Sequence, residues 1–320
     1  MENKDEFNDL FSGNLDEKMD FLNDKKSSSQ DGLYKIDLTK AKDKKRGYRS
    51  VIRFLPNLSR DGKVNQSAIE KLSHYVDIKN EKELSGWFDS PRNFNEKCPL
   101  TDLYFTMTNS KNAILQERSK CLKYSKKYFS YVLIMEDENQ PELVGKVMIF
   151  SYGKTIRDKI LAEKTGEISG IPCNVFDLSN GKDFVVFVKE ITTGDDNYPD
   201  YKNSMFKPDI TSISLYSEEK KSFKNVPLTD GKIDSKYQPK IKEFLLSRDH
   251  DIEDFSPKKL TEEQQIKISE ISAYLTGKSS TSFASKAPSK SLASEDDFDT
   301  NVPSNLSDDD DDDDFFNDID

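Results

Sequence analysis

The chain has 320 residues, one third of them charged, with 20 Phe, 13 Tyr, a single Trp, three Cys, two His and a net charge of −11. That aromatic content is enough for a core, and the length suits one large domain or a main domain with a smaller one. No apolar run approaches the roughly 20 residues of a membrane helix, the acidic opening MENKDEFNDLF lacks a secretory pattern, and the widely spaced Cys98, Cys121 and Cys173 make no disulfide framework. These features predict a soluble protein of a reducing cytoplasm, with no membrane partner.

Residues 1–33 are acidic and without sustained periodicity, although Phe7, Leu10 and Phe11 can share one helical turn. They predict a mobile arm, a place for self-association. From residue 34 the pattern becomes β: YRSVIRFLP (48–56), YFSYVLIM (128–135), KVMIFSYG (146–153) and DFVVFVKEI (183–191) are short runs rich in Val, Ile, Phe and Tyr. The polar stretch 62–101 interrupts that pattern and predicts an inserted subdomain. Residues 137–145 read as a hairpin loop, and Asn180-Gly181 as a second hairpin turn, since type I′ turns need positive φ at both central residues. Amphipathic spacing predicts helices over 155–164, 239–248 and 261–275, the last opening with the capping pattern Thr261-x-x-Gln264. The core therefore spans 34–277, followed by a Ser/Ala/Lys linker (278–294) and an acidic tail (295–320).

Charge is unevenly spread along this order. Residues 291–320 hold thirteen acids and no Lys or Arg, and residues 1–25 hold eight acids against three lysines, which leaves 26–290 at +7. A basic body between acidic ends suits a polyanion binder carrying its own competitor. The tail closes on DDDDDDDFFNDID, where Asp308 to Asp314 repel one another too strongly to fold alone. One reading is simple solubility. The other is a partner-binding hook in which Phe315, Phe316 and Ile319 are gripped beside the aspartates.

Within the core, KCLKYSKKYFSY (120–131) interleaves Lys120, Lys123, Lys126 and Lys127 with Tyr124, Tyr128, Phe129 and Tyr131. Single strands need cations for phosphates and flat faces for unstacked bases, and this run offers both. Its alternative is an edge strand with lysines against aggregation and aromatics in the core. Phe150, Tyr152 and Lys154 form a second candidate group, Arg53 stands among apolar neighbours, and Tyr198 and Tyr201 lie in a predicted loop. No predicted helix carries a basic groove-reading face, which favours single strands over duplex. Short strands displaying aromatics fit an OB-fold, in a mainly β chain with a few helices.

Enzymatic signatures are missing: there is no phosphate-binding G-x-x-x-x-G-K-[ST], no G-x-S-x-G elbow, and neither His74 nor His250 lies near a likely nucleophile. Scattered carboxylates leave a two-metal nuclease as a remote option. The chain is expected to be non-enzymatic.

VIRFLP (51–56), His74 followed by Cys98-Pro99, the run into Tyr128-Phe129, GKVMIFSYGKTIRDKI (145–160), the segment 180–191 and the acidic tail together resemble the T4-type single-stranded DNA-binding, helix-destabilising proteins of bacteriophages. The resemblance implies an OB-fold core that coats single-stranded DNA cooperatively in viral replication, recombination and repair, inside the bacterial host. It also implies self-association through the N-terminal arm and recruitment of replication and recombination proteins by the tail. Such proteins hold a structural zinc with one His and three Cys, the last two as C-x-x-C. Here Cys98 is followed three residues on by Thr101, and no cysteine stands near Trp87 and Phe88. With His74 and Cys98 the only remnants and Cys121 a further candidate, no zinc is expected, and Trp87, Phe88 and Phe94 are expected to form an apolar substitute. The arm lacks the family's basic motif, for which residues 42–46 (KDKKR) can substitute. The alternative function is an acidic protein-interaction module or nucleic-acid mimic on a β scaffold.

Overall fold

The computed structural model describes residues 32–38, 47–78, 81–168, 170–193 and 196–277, and within these not the side chains of Lys123 and 191–197. The arm, the basic group at 42–46, the linker and the tail with Asp308, Asp314, Phe315, Phe316 and Ile319 lie outside the described residues. What is described is mainly β with five α-helices, and it falls into two units.

The first unit holds the chain up to Lys71 and Lys126–Lys258. Its sheet is built from β1 (Leu33–Tyr34), β2 (Tyr48–Phe54), β7 (Leu122–Asp137), β8 (Val147–Tyr152), β9 (Asp183–Thr193) and β10 (Asp196–Asp200), in the order β1-β8-β7-β2-β9-β10. All neighbours are antiparallel except β1 beside β8. Two apolar clusters explain why so many of these strand residues are large. Tyr128, Val132 and Ile134 point to one cluster with Phe54, Phe150 and Phe184; Phe129, Tyr131 and Leu133 point to the other with Leu55, Ile213 and Ile241. A sheet covered on both faces needs apolar residues at successive positions, which is the continuous run seen in YFSYVLIM. The loop 138–146 joins β7 to β8 as the spacing predicts.

Helices α3 (Lys154–Thr165) and α4 (Gln238–Leu246) cover the two faces, through Ile156 and Ile160 and through Ile241 and Leu245. Short pairs complete the unit: β3 (Asn57–Leu58) with β4 (Val64–Asn65), β11 (Met205–Phe206) on β9, β12 (Ser214–Ser217) with β13 (Ser222–Asn225), and β14 (Leu228–Thr229) with β15 (Lys232–Ile233).

The Asn180-Gly181 hairpin is not formed. Gly181 makes an isolated bridge to Thr211, and the turn before it is held by Asp177 Oδ1, which accepts from the amides of Ser179 and Asn180 at 2.6 and 3.0 Å. A Cβ on Gly181 would collide with the guanidinium of Arg53, so glycine is needed there for close approach.

The second unit comprises Leu72–Ser125 and the chain from Lys259, a wider body than the predicted 62–101 insertion. Here β5 (Ile69–Val76) pairs with β6 (Gly86–Asp89) through His74 opposite Phe88 and Tyr75 opposite Trp87. Helices α1 (Pro99–Thr108), α2 (Ala113–Ser119) and α5 (Glu262–Thr276) enclose a third cluster, in which Ile268, Ile271 and Leu275 of α5 meet Val76, Phe88 and Leu100. α5 begins with the full capping box: Thr261 Oγ1 accepts from the Gln264 amide at 3.2 Å, and Gln264 Oε1 accepts from the Thr261 amide at 3.0 Å.

Candidate nucleic-acid interface

In the first unit, Tyr152 at the end of β8 lies directly opposite Tyr128, within β7. The two rings stack with centroids 5.8 Å apart at 22°, and the Tyr152 hydroxyl shares a 3.0 Å hydrogen bond with Ser130. Two cations flank Tyr128: Lys126 Nζ lies 5.6 Å from its ring centroid and the Arg157 guanidinium 5.9 Å. Lys126 pairs with Glu70 at 2.8 Å and Arg157 with Asp158 at 2.9 Å, and Glu70 also acts on Arg157. Burial works against the charge on Lys126, but Glu70 and Tyr128 outweigh it and raise its pKa. Arg157 is raised chiefly by its hydrogen bond to Asp158. Both are cations at neutral pH.

α3 adds to this positive edge. Its first turn has no acidic residue, its N-cap Gly153 makes no side-chain cap hydrogen bond, and Lys154 is its first residue. Helices usually place acids at this end, where the dipole is positive. A basic first turn instead concentrates positive charge beside Tyr128, a setting suited to a phosphate oxygen. Arg157 was not among the residues singled out by the sequence. The signal was available in GKTIRDKI, where helical spacing puts position 157 one turn after position 154.

The structure separates the other candidates. Tyr128, Phe129, Tyr131, Phe150 and Tyr152 are all core residues rather than exposed platforms, Tyr128 at 7% exposure and stacked on Tyr152, because both faces of β7 and the facing side of β8 are covered. The Tyr131 hydroxyl accepts from the Ile252 amide at 2.7 Å, and Arg248 sits 4.3 Å above its ring. Lys127 is also buried. Arg53 is corrected in the same way: at 1% exposure its guanidinium donates to the carbonyls of Asp177 and Thr211 at 3.0 and 2.9 Å and pairs with Asp183 at 3.5 Å. Desolvation lowers its pKa against the pull of Asp183. Tyr201 packs half-buried against the cluster under Phe54, and Tyr198 lies half-buried on β10 opposite Ile191. Exposed Lys189 stands over the Phe187 ring at 5.5 Å.

Lys120, Lys123 and Tyr124 belong to the second unit. Lys120 is exposed and pairs with Glu117 at 2.7 Å, while Tyr124 packs at 5.5 Å against His74. His74 Nε2 in turn faces Thr101 Oγ1 at 3.0 Å and Cys98 Sγ at 3.4 Å. Burial pushes the Cys98 thiol up, but hydrogen bonds from His74, Ser90 and Thr101 bring it down to about 6, whereas burial pushes Cys121 up to about 11. Among the described residues no group of three or more His, Cys, Asp or Glu is placed to hold a metal. Of the expected apolar substitutes, Phe88 is in the buried cluster, Trp87 packs on Tyr75 at 4.9 Å, and Phe94 lies under Lys259.

A mainly β body that brings Lys126 and Arg157 together presents paired cations of the kind a polyanion binder needs. The family described as gp32 DNA binding protein like matches residues 47–267, more than half of the chain, and the chain belongs to that family. It is 29% identical over 196 residues to the Single-stranded DNA-binding protein of Enterobacteria phage T4, covering 60% of this chain and 62% of that protein. Against the Single-stranded DNA-binding protein of Enterobacteria phage T2 it is 29% identical over 199 residues, 60% of this chain and 61% of the relative. The chain thus matches less than two thirds of the length of either relative. Among the described residues no helix is long and apolar enough to cross a membrane.

Proposed function

We propose that this protein binds single-stranded DNA without strong sequence preference, coating and protecting it during phage replication, recombination and repair in the host cytoplasm. The observation that carries the reading is the partly exposed pair Lys126 and Arg157, both brought over the buried Tyr128, in a chain of this family. The Lys126 and Arg157 cations neutralise phosphates, and Tyr128, buried in the core beneath them, supports them rather than stacking a base. The body is read as an OB-type core, supported by the antiparallel β2, β7 and β8 and by the helix after β8. Its work is positional and electrostatic rather than catalytic. The acidic tail is read as the part that recruits replication and recombination proteins, and the N-terminal arm as a contact between copies on DNA.

Titration with oligo-dT, followed by intrinsic fluorescence at several salt concentrations, tests this directly. The expected result is saturable binding whose log K falls linearly with log salt, by about 0.7 per phosphate contact. Absence of binding at low salt, or affinity indifferent to salt, overturns the proposal.

A further inference from the structure

The zinc implied by the family resemblance does not fit the residues of this chain. The groups gathered at His74 Nε2 are one sulfur, Cys98, and one hydroxyl, Thr101, and the remaining neighbour of that sulfur is the Ser90 hydroxyl. Structural zinc is held by four thiolate, imidazole or carboxylate ligands, and serine and threonine hydroxyls do not serve in their place. On the opposite edge of the ring, buried His74 Nδ1 has no hydrogen-bond partner. A zinc-bound imidazole anchors its second nitrogen on a carbonyl, carboxylate or water, and that support is missing here.

We propose that in this protein α5 has taken over the work of the metal: the 72–125 subdomain is closed by a helix supplied from residues 262–276 and needs no zinc to fold. A zinc ion ties separate chain segments at one point. α5 ties them along its length. Ile268, Ile271 and Leu275 are buried in the cluster that contains Cys98 itself, together with Phe88 and Leu100. Polar ties surround this contact at both ends. Lys267 Nζ donates to the Ser85 carbonyl at 2.8 Å, Arg118 Nη1 donates to the Leu275 carbonyl at 3.1 Å, and Lys259, just before the helix, pairs with Glu96 at 3.1 Å. The β5–β6 hairpin, the Glu96 loop and α2 are thus each held to one helix. The His74, Cys98 and Thr101 contacts remain inside as an ordinary buried hydrogen-bonded group.

The test uses the full-length protein prepared with zinc in the medium. Trp87, the only tryptophan, lies on β6 and reports the melting of this subdomain. The expected result is far less than one zinc per chain by elemental analysis, and a Trp87 melting transition that EDTA leaves in place. Ile271→Ala is expected to lower that transition by roughly 5 to 10 °C, whereas Cys98→Ser, which keeps a hydrogen-bonding group beside His74, moves it far less. If Ile271→Ala does not fold, Ile271→Val provides the graded version, with a smaller fall expected. One zinc per chain whose removal lowers the transition, or an Ile271 series that leaves it unmoved, overturns the proposal.

Discussion

Arg157 and Arg53 carry the same guanidinium in opposite surroundings. Arg157 is 42% exposed and pairs with a half-exposed Asp158, an arrangement worth little to stability. Arg157→Ala is therefore expected to leave the unfolding midpoint nearly unchanged, while the salt slope of oligo-dT binding becomes shallower by about 0.7. A variant with the parent's slope would mean that the Tyr128 edge does not meet phosphate. Arg53 is enclosed by two carbonyls, Thr211 and Asp183, so its removal takes the guanidinium donor from the carbonyls of Asp177 and Thr211 in a closed space. Urea unfolding of Arg53→Ala should show a loss of about 3 kcal/mol, with DNA affinity of the folded fraction retained.

At the level of elements, β1 is too short to hold by its ladder alone, since among the described residues it pairs with β8 through Leu33 and Tyr34 only. It is fastened by a side chain. The Tyr34 hydroxyl donates to Asp137 Oδ2 at 2.6 Å, the Tyr48 hydroxyl donates to the same oxygen at 2.5 Å, and the other oxygen accepts from the amides of Asn139 and Gln140, both at 2.9 Å. The carboxylate also shapes the β7–β8 loop. Tyr34→Phe removes one charge-assisted donor and is expected to cost about 2 kcal/mol in urea unfolding; a cost near zero would mean that β1 is held by packing alone. At α5, Thr261→Ala removes one half of the capping box and should cost about 1 kcal/mol, read in the Trp87 transition.

For the whole molecule, charge placement is the decisive quantity: −13 in residues 291–320 against +7 in residues 26–290. Joined to the body through residues 278–294, the aspartates would hold a local concentration near millimolar, enough to compete with phosphates without binding tightly. Deleting residues 291–320 is expected to tighten DNA binding, most of all at low salt where screening is weak. Changing Phe315 and Phe316 to Ala should leave DNA affinity as it is and weaken recruitment of replication proteins in pull-down assays. A deletion that binds DNA no better than the intact chain at low salt would leave the tail only the role of a tether.

The strands from 48, 128, 146 and 183, the loop at 137–145 and the capped helix after Thr261 were legible in the sequence, because alternation, β-branching and caps are local properties of the chain. So was the mismatch with a Cys-rich zinc site, which needs only residue types. What local pattern does not encode is how many faces of a strand are covered. Tyr128, Phe129, Tyr131, Phe150 and Tyr152 look like base-stacking residues until a second apolar layer is packed on the sheet, and Arg53 looks like a phosphate ligand until Asp177, Asp183 and Thr211 close around it. Asn180-Gly181 misled for the same reason: glycine serves both positive φ and close approach, and only the neighbouring guanidinium decides between them. The pairing of Arg157 with Tyr128 and the closure of residues 72–125 by α5 join segments distant in sequence. Composition and periodicity determined which residues could form strands, helices and a basic body; tertiary packing decided which remain at the surface, because burial depends on what the rest of the chain brings against them.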